Sequence, residues 1–266
     1  MSGAVTPMVP LGRSGVRVSR VAFGAVKIGR TAGLKYPGGF TLPSQDGVDA
    51  LLDALVTSGI TTLDTAPAYG LSEQRIGDWL RRRGGPQALA GLTLCSKTGE
   101  TFDPETASSA FDFSAGATRA SVSRSLDRLG VDALDVVHVH SSGDDLAIQD
   151  ESGCVDALRA LRDDGAVRAI GFSGKTVEGT RRAIEWADSV MVTLHADDTS
   201  HLGVIEEAAA AGVGVMVKKG LGSGHLPARE ALRFLGGVAG VSSVVIGSLS
   251  AAHMRQNAAW LAGADA

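Results

Sequence analysis

The chain has 266 residues, of which 44% are hydrophobic and 20% charged, enough apolar material for a sizeable core and too little charge for a disordered polymer. Its 25 basic and 29 acidic side chains are spread along the sequence and leave a net charge of -4, which excludes a general attraction to nucleic acid or an anionic membrane. Two distant cysteines, Cys95 and Cys154, support neither a disulfide framework nor a cysteine zinc site, and no run resembles a secretion signal or a membrane span, so a cytoplasmic location is expected.

The first predicted element is a hairpin in "VPLGRSGVRVS" that turns around Arg13-Ser14-Gly15, followed by a buried strand near Val21 to Phe23. From Asp46 to Ser58, Val48, Leu51, Leu52, Leu55 and Val56 recur at helical spacing, with Gly59 as C-terminal cap. Ile60 to Asp64 reads as the next strand. Ser72 is expected to cap a helix with Ile76, Trp79 and Leu80 on one face, stopped by Gly84-Gly85. The basic run Arg81-Arg82-Arg83 closes that helix, where cations complement the negative end of its dipole. "LTLCSK" predicts a strand ending at Lys97.

Thr98 to Gly116 reads as a loop whose Phe102, Phe111 and Phe113 either wall a substrate site or simply anchor the loop. A stripe of Val122, Leu126 and Leu129 predicts a helix from Ala117 to Leu129 closed by Gly130, and "LDVVHVH" a buried strand ending at His140. Further strands fall near Val167 to Ser173, Ser189 to Leu194, Gly214 to Lys218 and Ser243 to Gly247. Strands that alternate with helices in this way predict an α/β protein, a single (β/α)8 TIM barrel over residues 1–266 with a short N-terminal hairpin. A doubly wound open sheet fits less well, because no GxGxxG opens a helix after an early strand.

Barrel active sites lie at the C-terminal ends of the strands. Asp64, Lys97 and His140 end three neighbouring strands, and Tyr69 follows Asp64 in its loop. Each has a bland alternative: a packed aromatic for Tyr69, a hydrogen-bonded core residue for His140, and the same for His138. Together they suit proton transfer to a forming oxyanion, with Tyr69 as acid, Lys97 lowering its pKa, Asp64 balancing Lys97, and His140 orienting a carbonyl oxygen. A metal-dependent hydrolase built on the HxH pair of His138 and His140, with His195 added, is a second reading. A binding module without turnover is a third.

The sequence resembles the aldo-keto reductase family through "LGRSGVRVSRVAFGAVKIG", "GITTLDTAPAYGLSEQRIGDWL", "LCSKTG", "SVSRSLDRLGVDALDVVHVH", "GAVRAIGFSGK" and "VVIGSLSAAHMRQN". The resemblance implies that Asp64, Tyr69, Lys97 and His140 are catalytic, and that NADPH, with NADH as the alternative, binds extended without a Rossmann domain or a metal. It implies aldehyde, ketone or sugar substrates. By the same resemblance Gly24, Ser173, Leu221, Gly247, Ser248 and Asn257 fall at cofactor positions. Gly174 replaces an asparagine of the family, Met191 a glutamine, Lys218 an aromatic that stacks on nicotinamide, and His253 a cation at the 2'-phosphate. In "KKGLGSG", Lys218 and Lys219 with Gly222, Ser223 and Gly224 are expected to meet the pyrophosphate, against the alternatives of a plain turn and of a salt bridge to Asp197 or Asp198. "RTAGLKYPGGFTLPS" is expected to cover part of the site. The chain's end soon after the last helix implies an open substrate side.

Overall fold

Buried strands and amphipathic helices alternate and close on themselves in the computed structural model, which describes residues 6–264. A hairpin comes first, β1 (Met8–Pro10) and β2 (Arg17–Ser19), then β3 (Val21–Gly24), the short helix α1 (Val26–Gly29) and α2 (Gln45–Thr57). Next come β4 (Thr62–Asp64), α3 (Ser72–Arg82), β5 (Thr93–Thr98), a second hairpin β6 (Glu100–Asp103) and β7 (Ser108–Phe111), and α4 (Ala115–Leu129). The middle of the chain forms β8 (Leu134–His140), α5 (Asp145–Glu151), α6 (Cys154–Asp163), β9 (Val167–Ser173) and α7 (Val177–Ala183). It ends with β10 (Ser189–Thr193), α8 (Leu202–Ala210), β11 (Gly214–Lys218), α9 (Ala228–Gly236), β12 (Val241–Ile246) and α10 (Ala251–Leu261).

Eight parallel strands, β3, β4, β5, β8, β9, β10, β11 and β12, pair in that order, and β12 returns to β3 through Val244 opposite Val21 to close the barrel. The (β/α)8 expectation therefore holds. Barrel strands are covered on both sides, which is why they read as unbroken apolar runs; every residue of β3, β4 and β5 is buried. The larger core lies between strands and helices. A smaller one, with Ala22, Cys95, Val136, Ala169, Met191 and Met216, fills the barrel interior.

The first hairpin plugs the end of the barrel where the strands begin. Its Leu11, Val16 and Val18 join the interior core, and Ser19 and Thr62 tie it to β4 through a 2.8 Å hydrogen bond. Gly12 at its turn has φ +56°, and a Cβ there would lie 2.4 Å from Gly212 O, so only glycine allows this approach. Closing one end leaves the other free to carry a site.

Helix boundaries follow local chemistry. Ser44 caps α2 by accepting from Gly47 N, and Gly130 ends α4 in the left-handed conformation at φ 70°. Ser72 is a correction: it is the first residue of α3 rather than its cap, and its hydroxyl is 2.5 Å from Thr65 Oγ1. The arginine run is neutralised by acids on α2 and α3, with Arg81 on Asp78, Arg82 on Asp46 and Asp49, and Arg83 on Asp53. Exposed pairs of this kind contribute at most about 1 kcal/mol each. The expected loop from Thr98 to Gly116 contains the β6–β7 hairpin instead, paired from Glu100 opposite Phe111 to Asp103 opposite Ser108. Its strands are largely exposed, so no apolar alternation announced them. Among the described residues no helix is long and apolar enough to cross a membrane.

Candidate active site

The C-terminal ends of β4, β5 and β8 bring together Asp64, Lys97 and His140, and the 3-10 turn Pro67–Tyr69 carries Tyr69 over them. Lys97 Nζ donates to both carboxylate oxygens of Asp64 at 2.8 Å and to Thr65 O at 2.9 Å. Both side chains of this pair are 2% exposed. The Lys97 ammonium sits 4.8 Å from the centre of the Tyr69 ring, and the His140 ring meets Tyr69 edge to face, 6.3 Å between centroids at 88°.

Burial alone would push the Lys97 pKa down, but the charge and hydrogen bonds of Asp64, helped by Tyr69, outweigh it and keep lysine protonated well beyond its usual range. The tyrosine differs from expectation. Lys97 does pull its pKa down, yet burial and the nearby Asp64 and Glu100 charges prevail, and Tyr69 lies above its usual value of 10. The phenol is therefore a neutral, proton-bearing group at physiological pH. Burial lowers the pKa of His140, with Lys97 and Lys218 adding to the effect and Glu100 opposing it.

Glu100, which sequence reasoning did not single out, approaches His140 Nδ1 with its Oε2 at 2.7 Å. The oxygen lies off the N–H axis, so this is a charge contact more than an aligned hydrogen bond. Burial would raise the Glu100 pKa, but His140, Ser109 and Arg30 together hold it at about 2. The signal available in the sequence was its position three residues after Lys97, just past the end of that residue's strand.

These residues open into a cavity of about 860 Å³ that runs on to Ser248, His253 and Asn257. Every residue named from the sequence as a cofactor contact lines it except Gly222, whose amide instead closes a turn onto Lys219 O at 2.8 Å. Lys27 and Lys175 also line it, as does Gln256, whose Nε2 is a buried donor without a protein partner. Lys218 donates to Ser173 Oγ at 2.8 Å and to Gly174 O at 2.7 Å, not to Asp197 or Asp198. Burial, Lys219, Lys97 and Lys175 together drop its pKa to about 7. Gly174 is small for a reason: a Cβ there would lie 3.1 Å from Asp145 Oδ2 and from the Phe172 ring. Met191 packs in the barrel interior while touching the cavity floor.

The histidine pair is divided between two environments. His138 is fully buried with Nε2 2.8 Å from Ser189 Oγ, while only His140 lines the cavity, and His195 lies outside the cavity lining. The segment between β3 and α2 does cover the site. Tyr36 lines the cavity with Lys27 Nζ 4.0 Å over its ring, and Lys35 O meets His225 Nε2 at 3.1 Å. None of the three phenylalanines lines the cavity: Phe102 lies under the Arg30 guanidinium at 4.0 Å, and Phe111 and Phe113 stack on each other.

A family model described as Aldo/keto reductase family matches residues 20–232. L-galactose dehydrogenase of Arabidopsis thaliana is 29% identical over 226 residues, covering 81% of this chain and 66% of its own. D-threo-aldose 1-dehydrogenase of a Pseudomonas species is 29% identical over 194 residues, covering 66% and 56%. The chain thus spans between about half and two thirds of the length of these curated relatives. A crystal structure of a Pseudomonas aeruginosa protein assigned to the aldo-keto reductases superposes with a TM-score of 0.87 at 40% identity, over 98% of this chain and 96% of the other. A model match over most of the chain, on a closed barrel with these strand-end residues, has one reading: the chain belongs to the aldo/keto reductase family.

Proposed function

We propose that the protein is an NAD(P)H-dependent oxidoreductase that reduces the carbonyl of an aldehyde, ketone or sugar, with Tyr69 as proton donor. The observation that carries this reading is the buried Lys97–Asp64 pair beneath a protonated Tyr69, with His140 against the tyrosine's edge. A reduced nicotinamide supplies the hydride. The chain's own residues then manage charge and geometry. Tyr69 delivers a proton to the oxygen as negative charge gathers there. Lys97 stabilises the phenolate left behind, and Asp64 keeps the lysine oriented and charged away from water. His140 holds the carbonyl oxygen beside the tyrosine hydroxyl.

The donor set of the cavity fits a dinucleotide. Ser173 Oγ accepts from Lys218, which leaves its O–H free to donate to a carboxamide oxygen. Lys218 and Lys219, with Lys27 and Lys175 on the walls and Leu221 and Ser223 in the turn, would hold the phosphates, with Gly24 and Gly247 framing the nicotinamide side. Ser248, His253, Gln256 and Asn257 would hold the adenosine end. NADPH is the preferred cofactor in this reading and NADH the weaker one.

A panel of aldehydes, ketones and aldoses, run separately with NADPH and NADH, tests the proposal. Multiple turnovers are expected with at least one carbonyl, and Tyr69→Phe should lower them by about 100- to 10,000-fold while cofactor affinity stays close to that of the parent. Cofactor binding without turnover across the panel, or a folded Tyr69→Phe protein as active as the parent, overturns it.

A further inference from the structure

Behind His140 sits a carboxylate that none of these roles uses. Gly99, between the Lys97 strand and Glu100, has φ +96°, and a Cβ there would fall 2.4 Å from the Phe113 ring. Glycine and a packed ring thus fix the bend that turns the chain out of the barrel. The bend sets Glu100 Oε2 2.7 Å from His140 Nδ1, while Oε1 accepts a 2.6 Å bond from Ser109 Oγ on the partner strand. Glu100 is 12% exposed, and the charge of Arg30, whose guanidinium stacks on Phe102, reinforces its ionised form.

The protonation state of His140 follows from this geometry. A negative carboxylate oxygen 2.7 Å from Nδ1 favours, by charge, the tautomer that carries its proton on that nitrogen. Nε2 is then the nitrogen available to a substrate. On a neutral ring it offers only a lone pair, and it becomes a donor when a second proton binds. The groups facing His140 are Tyr69 from the turn after β4, Lys97 from β5, Lys218 from β11, His138 two residues earlier on β8, and Glu100 from β6. Among them Glu100 favours the second proton, while burial and the two lysines oppose it.

We propose that Glu100 is a positioning residue whose carboxylate, set against Nδ1, keeps the His140 proton on that nitrogen and raises the ring's affinity for the second proton, the one that makes Nε2–H a donor to the carbonyl oxygen. This rests on the carbonyl-reductase reading above, but its first test needs neither cofactor nor substrate. Nitrogen-15 histidine NMR of the free protein, with His140 assigned by its loss in His140→Asn, should show Nδ1 protonated from about pH 5 to 9 while Nε2 titrates. Glu100→Gln keeps the size and removes the charge, and should lower the titration midpoint by about one pH unit. A wild-type ring protonated on Nε2 and bare on Nδ1, or an unchanged midpoint in Glu100→Gln, overturns the proposal.

Kinetics supply the second readout. Glu100→Gln should lower kcat for carbonyl reduction about tenfold near neutrality, as expected for weakened donation from one positioned group. The descending limb of the pH profile should move to lower pH while KM for NADPH is unchanged. A uniform loss at every pH would mean that the hairpin only packs, and would overturn the role. If Glu100→Gln does not fold, the wild-type tautomer still decides, and Ser109→Ala, which unanchors the carboxylate, should shift the midpoint in the same direction. A protein that reduces no carbonyl while keeping the Nδ1–H ring and the Glu100-dependent midpoint would fail the functional reading alone.

Discussion

Replacing Lys97 by methionine removes the cation from a pair in which both side chains are 2% exposed, along with three hydrogen bonds of 2.8 to 2.9 Å. Breaking a buried pair by deleting one partner costs about 3–5 kcal/mol, because the remaining charge is stranded. At roughly 2–4 °C per kcal/mol for a chain near this size, Tm should fall by about 10 °C. The double variant Lys97→Met with Asp64→Asn carries no stranded charge and should recover most of the loss. Turnover should behave differently. Without the ammonium the Tyr69 phenolate loses its stabilising charge, so both variants should lose about 100-fold or more in kcat. Thermal unfolding and carbonyl reduction on the same samples provide the assay. A Lys97→Met protein with unchanged Tm refutes the buried-pair argument, and a double variant that regains turnover along with stability refutes a catalytic role for Lys97.

Two further substitutions address the cofactor side. Lys218 has a pKa of about 7 in the fold against 10.5 when unperturbed, so the parent gains stability as pH rises from about 7 towards 10.5, and below about 7 the burial penalty is present in full. The Tm difference between Lys218→Met and the parent should therefore favour the variant most at low pH and shrink as pH rises. A pH-independent difference would show that Lys218 titrates normally. His253→Arg should tighten NADPH selectively over NADH, by up to about 3 kcal/mol if the guanidinium bonds the 2'-phosphate. Equal gains for the two cofactors in a fluorescence titration would place that phosphate elsewhere.

Much of the barrel was legible in the sequence because its signals are local. Apolar runs in β3, β4, β5 and β8 mark strands covered on both faces, glycines at 59, 84 and 130 stop helices, and Asp64, Lys97 and His140 stand out as ionisable groups at or beside strand ends. What depended on partners distant in sequence was not legible. Ser72 looked like a cap, but its hydroxyl is taken by Thr65 across a turn. The β6–β7 hairpin is largely exposed and its half-buried side in β6 carries Glu100 beside Phe102, so no apolar alternation marked it, and the carboxylate it carries to His140 went unnoticed. The alternative of a salt bridge from the lysine pair to Asp197 or Asp198 fails for Lys218, because closure of the barrel places Ser173 and Gly174 within its reach. The sign of the Tyr69 shift was settled the same way. From the sequence a neighbouring lysine lowers a phenol's pKa, whereas in the folded protein desolvation of the half-buried ring and two carboxylates outweigh it, because desolvation depends on everything packed around the ring and not on the residues beside it in the chain.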